Sequence, residues 1–280
     1  MRFVADSLKY NDLVDYGLEE GVATLTLNRP EKLNAIDGRV VNRLLELIDE
    51  VERNKEARVM VLRGAGRAFC SGADLADDAN ELGTQDVQKW RDVLTRAISM
   101  YRRLAEFPKP TIAATHGYAI GMRFFLANAC DIIISTRDCK FGTTEIRQGQ
   151  SATDWIPAWN VPRNIMMEML LTGDFIDGQK AEAIGMVNRA VPAETFEKEV
   201  YRLARKLALI DPLTMSMNKV NINIWYNMVE YFRASLFSIE GGAILNTSEE
   251  RRKWVGIFRR YSKKDFLKLR DEPFKKLEQG

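Results

Sequence analysis

The spacing of apolar positions changes character several times along the chain, and each change marks an element. Val22–Leu27 (VATLTL) alternates in the two-residue rhythm of a strand, and Leu13–Asp15 before it reads as a partner strand across the turn-like Glu19-Glu20-Gly21. Arg39–Val51 switches to helical spacing, with Val40, Val41, Leu44, Leu45, Leu47, Ile48 and Val51 on one face. Val59–Leu62 (VMVL) is a continuous apolar run closed by Arg63-Gly64-Ala65-Gly66, the signature of a strand buried on both faces. Trp90, Val93, Leu94, Ala97, Ile98, Tyr101 and Leu104 align along one side of a helix spanning 87–104. Thr111–Thr115 and Asp131–Ser135 are two more buried strands, with Met122–Ala129 as an apolar helix between them. Further on come a methionine-rich helix (Asn160–Leu171), a short helix (Gly178–Ile184), a short strand (Met186–Val191) and an amphipathic helix (Thr195–Leu209). Asp211-Pro212 breaks the chain, and beyond it the pattern is helical, over Leu213–Leu236 and Ser248–Arg260. Strands interleaved with helices predict an α/β fold. The strands stop near 195–212, so the expected layout is a mixed core over 1–200 and a helical region over 201–280.

Composition narrows this picture. The 280 residues contain no apolar run of 18, so no membrane-spanning helix is expected. MRFVADSLKYND carries no apolar export signal, and the three cysteines (Cys70, Cys130, Cys139) have no paired spacing, which together point to reduced thiols in the cytoplasm. With a single histidine, no metal site is expected. Net charge is +2, but residues 251–280 hold 11 Lys/Arg against 4 Asp/Glu, whereas residues 1–250 hold 30 against 35. A basic tail raises the question of nucleic acid. Sparse aromatic interleaving argues against it and leaves a solvated helical end or a contact to a phosphorylated small molecule.

Candidate chemistry gathers between Lys109 and Gly149. Strand 111–115 runs through His116-Gly117-Tyr118 to Gly121, where a helix begins. A helix start presents backbone N–H groups that lack intrahelical acceptors, which suits an anion or oxyanion. Glu145 is the only carboxylate between Asp138 and Asp154. Donors aimed at a carbonyl, plus one carboxylate, are the minimum needed to move a proton α to that carbonyl. Phe69-Cys70-Ser71-Gly72-Ala73-Asp74-Leu75 is a second small-residue turn, and Asp154, Trp155 and Trp159 crowd a possible pocket wall.

In order along the chain, NRPEKLNAI, AFCSGADL, KPTIAATHGYAIG, ACDIIIS, KFGTTEIRQG and LLTGDFIDGQKAEAIGMVNRAVP resemble the crotonase superfamily, the enoyl-CoA hydratase/isomerase group. The resemblance runs from about residue 13 to about 266. It implies a spiral of ββα turns with a C-terminal helical region that forms trimers, commonly paired as hexamers. It implies an acyl-CoA substrate and no cofactor beyond the coenzyme A carried by that substrate. It places the thioester oxygen between the backbone N–H groups of Ser71 and Met122. Coenzyme A contacts fall by the same resemblance on Arg29 and Lys32 (phosphates) and on Ala35, Ala73, Asp74 and Leu75 (adenine and pantetheine). Lys263 and Phe266 would reach a neighbouring subunit's ligand.

The chain departs from the group's two-carboxylate members at one point. Gly121-Met122-Arg123-Phe124-Phe125 puts Phe125 where the first glutamate stands, while Glu145 matches the second. One acid/base is then expected to serve hydration or double-bond isomerisation of an enoyl-CoA, with Phe124, Phe125, Trp155 and Trp159 favouring a bulky, aromatic or cyclic acyl group. Asp154 is a second candidate acid. Cleavage of a C–C bond in a CoA thioester, and a non-catalytic CoA-binding role, are the alternatives.

Overall fold

A computed structural model of the chain describes residues 12–74, 86–150, 160–228 and 231–278. Its main sheet has six strands: β1 (Val14–Glu19), β2 (Val22–Leu27), β3 (Val59–Gly64), β4 (Thr111–Thr115), β6 (Ile132–Thr136) and β9 (Arg189–Val191), hydrogen-bonded in that order. Only the β1–β2 hairpin is antiparallel; every other pairing in this sheet is parallel. Parallel neighbours require a crossover, and the helices predicted between the strands provide it.

The continuous apolar runs are explained by burial on both faces. Along β3, Met60 and Leu62 point into the main core, whereas Val59 and Val61 face the opposite side. Ala113 of β4 and Ile133 of β6 join the first set; Ile112, Ala114 and Ile134 join the second. The second face is covered by α6 (Ala193–Ala208) through Phe196, Val200, Leu203 and Ala204. The first packs on α1 (Gly38–Arg53), whose predicted stripe is buried except for the half-buried Leu45, and on α2 (Val87–Ala105). Asp37 caps α1 by accepting from the amides of Arg39 and Val40, which satisfies two of the donors a helix start leaves open.

A second, three-stranded sheet joins β5 (Tyr118–Ile120), β7 (Lys140–Gly142) and β8 (Ile176–Asp177). These strands are two or three residues long, too short for a period to show in sequence, and the 116–118 segment reads there only as a break. The first sheet hands the chain to this second one between β4 and β5, and α3 (Met122–Asn128) leaves its edge.

The predicted helix over 213–236 falls on α7 (Pro212–Met228) and α8 (Tyr231–Asn246), the described stretches on either side of 229–230. They are followed by α9 (Glu249–Arg260) and α10 (Lys263–Glu278), the last carrying Pro273 within it. α8 lies along α2, with Ile239 and Ala243 against Trp90, Leu94 and Ile98. α9 and α10 fold back onto the 145–148 turn. α7 buries none of its own residues. No helix among the described residues is long and apolar enough to cross a membrane.

Candidate active site

Three chain segments meet at the edge of the second sheet. The Phe69–Asp74 stretch lies between two others. On one side Phe69 and Cys70 donate to the carbonyls of His116 and Tyr118, and Ile120 donates back to Cys70. On the other, Ile36 donates to Gly72 and Asp74 donates to Ile36. Gly72 has φ +106°, and a Cβ there would stand 3.3 Å from the Ile120 carbonyl oxygen. Ser71 is thereby set beside Ile120-Gly121, where α3 begins.

Gly121 is the centre of the arrangement. Its φ of +66° is a left-handed conformation that glycine adopts without penalty, and its amide donates to Gly142 at 2.8 Å. A Cβ built on it would stand 2.4 Å from Oε1 of Glu145. The carboxylate therefore rests on the bare backbone of residue 121, one residue before the Met122 amide. Met122 is the first residue of α3, where an amide has no intrahelical acceptor. Glu145 opens a one-turn 3-10 helix ending at Gln148, is partly buried, and has its Oε2 closed off from solvent. Sequence positions 71, 122 and 145 are thus brought to one place.

The Ser71 amide, however, already donates to the Leu33 carbonyl at 2.9 Å. Leu33 and Asn34 are both left-handed, at φ +52° and +56°, unusual for residues with side chains. Asn34 holds this turn: its Oδ1 accepts from the Arg29 amide, and its Nδ2 donates to Ala65 and Ala68 carbonyls.

The residues expected to hold coenzyme A separate into two kinds. Arg29 is a correction: its side chain is only 7% exposed, and its guanidinium donates to the Ala35 carbonyl and to Asp74, with Asp37 at 3.2 Å. So buried and so fully paired a group braces the loop and does not reach an exposed phosphate. Asp74 is buried between Arg29 and Lys32, and Ala35 is buried as well. Lys32 keeps 42% of its side chain exposed beside Asp74, and Ala73 is half-buried. Burial alone would raise the Asp37 pKa. The Arg39 side chain, the Val40 amide and the charges of Arg29 and Arg39 outweigh it and hold that carboxyl below its ordinary value.

Phe266 is a second correction. It is 1% exposed, and its ring packs edge-on against Trp254 and Phe258 of its own chain, so it cannot contact a neighbour's ligand. Lys263 is exposed at the start of α10. Phe124 and Phe125 are core residues, Phe125 meeting Tyr101 edge-on at 6.3 Å. Leu75, Asp154, Trp155 and Trp159 lie outside the described residues. Among the described residues, no three His, Cys, Asp or Glu side chains gather as a metal site would require.

The mixed α/β core and C-terminal helices are those of the crotonase fold, on likeness to proteins of known family and structure. A family model described as Enoyl-CoA hydratase/isomerase matches residues 17–235. The chain is 33% identical over 207 residues to a putative enoyl-CoA hydratase of Thermus thermophilus, covering 72% of this chain and 81% of that protein. It is 36% identical over 217 residues to the 1,2-epoxyphenylacetyl-CoA isomerase of Escherichia coli, covering 74% and 80%. The crystal structure of an enoyl-CoA hydratase/isomerase from Xanthobacter autotrophicus superposes with a TM-score of 0.90 at 31% identity, over 93% of this chain and 98% of the other. The chain belongs to the enoyl-CoA hydratase/isomerase family and is an enzyme of that type.

Proposed function

We propose that the protein moves a proton at the α-carbon of an enoyl-CoA, with Glu145 as the one acid/base and the amides of Ser71 and Met122 as donors to the thioester oxygen. The observation that carries this reading is the contact of the Glu145 carboxylate with the Gly121 backbone. It puts a proton acceptor next to the helix start at which an enolate oxygen would be stabilised. In isomerisation, Glu145 takes a proton from the carbon next to the double bond. The electrons move toward the thioester oxygen, and the same carboxyl returns the proton at the other end of the dienolate. In hydration, water adds to the β-carbon and gives a proton to Glu145, and Glu145 passes that proton to the α-carbon as the enolate collapses. Either course asks the two amides to stabilise charge that exists only during reaction, which is where such donors act most.

With Phe125 in the core instead of a carboxylate, a single group must both accept and return the proton, which isomerisation needs and hydration strains. Similarity to an enzyme named for an aryl acyl-CoA supports a bulky or aromatic acyl group. Lys32 and Lys263, both open to solvent, are the cations proposed for the phosphates of coenzyme A. Ala73 and Leu75 form the proposed wall for its adenine and pantetheine, and Ala35 and Asp74, both buried, are proposed as the loop that supports it. We propose Asp154 as a second candidate acid. The proposed assembly is a homotrimer or a pair of trimers, formed by the helical region 201–280, in the cytoplasm.

Incubation with linear, aryl and cyclic enoyl-CoAs in deuterated water, read by mass spectrometry, tests the reaction. Deuterium uptake without added mass from water indicates isomerisation; gain of one water indicates hydration; a shortened acyl chain indicates C–C cleavage. Glu145→Gln should lower kcat by ~10²–10⁴-fold on whichever substrate is turned over. Full turnover by that variant would remove Glu145 from its role.

A further inference from the structure

Arg147 leaves the same 3-10 turn two residues after Glu145, and its side chain is 8% exposed. Its whole guanidinium is engaged. Nε donates to the Thr172 carbonyl at 2.8 Å, Nη2 pairs with Asp174, and Nη1 lies 3.5 Å from Asp271. The guanidinium carbon stands 4.1 Å from the centroid of the Phe274 ring. Gly173 makes the seat: a Cβ there would fall 2.8 Å from Arg147 Nε and 3.1 Å from its Cγ. Thr172 ends α4 (Arg163–Thr172), Gly173 and Asp174 follow it, and Asp271 and Phe274 belong to α10.

Asp271 is itself fixed by two hydrogen bonds from Arg270. The far end of the turn is gripped by the same helical region. Gln150 donates to Asn246 at 2.8 Å, and a Cβ on Gly149 would stand 3.1 Å from the Arg251 amide.

We propose that Arg147 is a positioning residue for Glu145. It rivets the turn that carries the carboxylate to α10, so the contact between Glu145 and Gly121 depends on a helix at the far end of the chain. This rests on the reading of Glu145 as the acid/base. A buried guanidinium held by three carboxylate or carbonyl partners and an aromatic face has one orientation, and its planar fork cannot be reproduced by an ammonium group. Proton transfer needs the carboxylate oxygen held about 3–3.5 Å from its carbon, and a misplacement of about 1 Å costs ~10²-fold.

The test uses the full chain and four variants: Arg147→Met, Arg147→Lys, Phe274→Ala and Glu145→Gln. Hydrogen–deuterium exchange follows the amides of Arg147, Gly149 and Gln150, which bond within the turn to Thr144, Ile146 and Glu145. Arg147→Met should speed their exchange by ~10-fold or more, because the turn then opens locally. It should lower kcat by ~10²-fold while leaving KM within about twofold. Phe274→Ala, with Arg147 in place, should loosen the same amides, and Arg147→Lys should restore only part of the loss. Unchanged exchange in both Arg147→Met and Phe274→Ala overturns the proposal, as does a loss confined to KM. Glu145→Gln separates the two ideas. If it is inactive while the Arg147→Met turn is unmoved, the rivet fails. If it keeps full turnover while the turn loosens, the acid/base reading fails and the positioning role fails with it.

Discussion

Met122 offers an unusually clean handle on the chemistry. It is the first residue of α3, the one helical position at which proline is at home, because its ring presets φ and the lost N–H had no helical acceptor. Met122→Pro therefore deletes a proposed oxyanion donor while keeping the helix. We expect kcat to fall by ~10²–10³-fold with the melting temperature nearly unchanged. Normal turnover in a folded variant would show that this amide does not face the thioester oxygen. Gly121 beside it is legible in sequence only as a turn former. That its missing side chain also makes room for Glu145 depends on a residue 24 positions later, a contact no local pattern encodes. Arg147 is hidden in the same way: its partners at 172, 174, 271 and 274 lie in other elements.

At the scale of elements, the 29–36 loop is a polar frame. Arg29 links Asp37, the cap of α1, to Asp74 at the end of the small-residue turn. With the Asp37 carboxyl held below its ordinary value of 3.8, the ionised form favours the folded state. That stability is present above the unfolded-state pKa and is lost as pH falls through the folded one. Asp37→Asn keeps a capping side chain and removes the charge. Its melting temperature should lie below the parent's near pH 7, with the gap closing below about pH 4. A gap that stays constant with pH would assign the stabilisation to hydrogen bonding alone. The same loop holds the Leu33 carbonyl on the Ser71 amide. For that amide to serve a thioester, the loop must give up this bond. A structure with an acyl-CoA analogue bound should show Ser71 N and Leu33 O beyond hydrogen-bonding distance, and an unbroken bond there would leave Met122 as the sole donor of the pair.

Among the described residues, many of the exposed large apolar side chains lie on the C-terminal helices. Along α7, Leu213, Ile222, Ile224, Trp225 and Met228 are each more than half exposed, and Phe237 of α8 is 81% exposed. Contiguous apolar surface of this kind marks an interface. With a chain mass of 32.0 kDa, light scattering should return a multiple of three chains. Ile224→Glu should shift the protein toward the single-chain mass, because a charge would be buried without a partner. A parent protein that already runs as one chain would remove the proposed assembly.

The apolar rhythm alone determined the α/β class, the buried strands and the amphipathic helices α1, α2 and α6, because burial on one face or two leaves a periodic trace within a few residues. The motifs marked positions 71, 122 and 145 through small residues and a lone carboxylate. Only the tertiary structure decided that Arg29 braces a loop and Phe266 fills its own chain's core, and that α10 packs on the turn that carries Glu145. Each of those depends on partners distant in sequence, where a side chain's burial and pairing are set by packing and leave no local pattern to read.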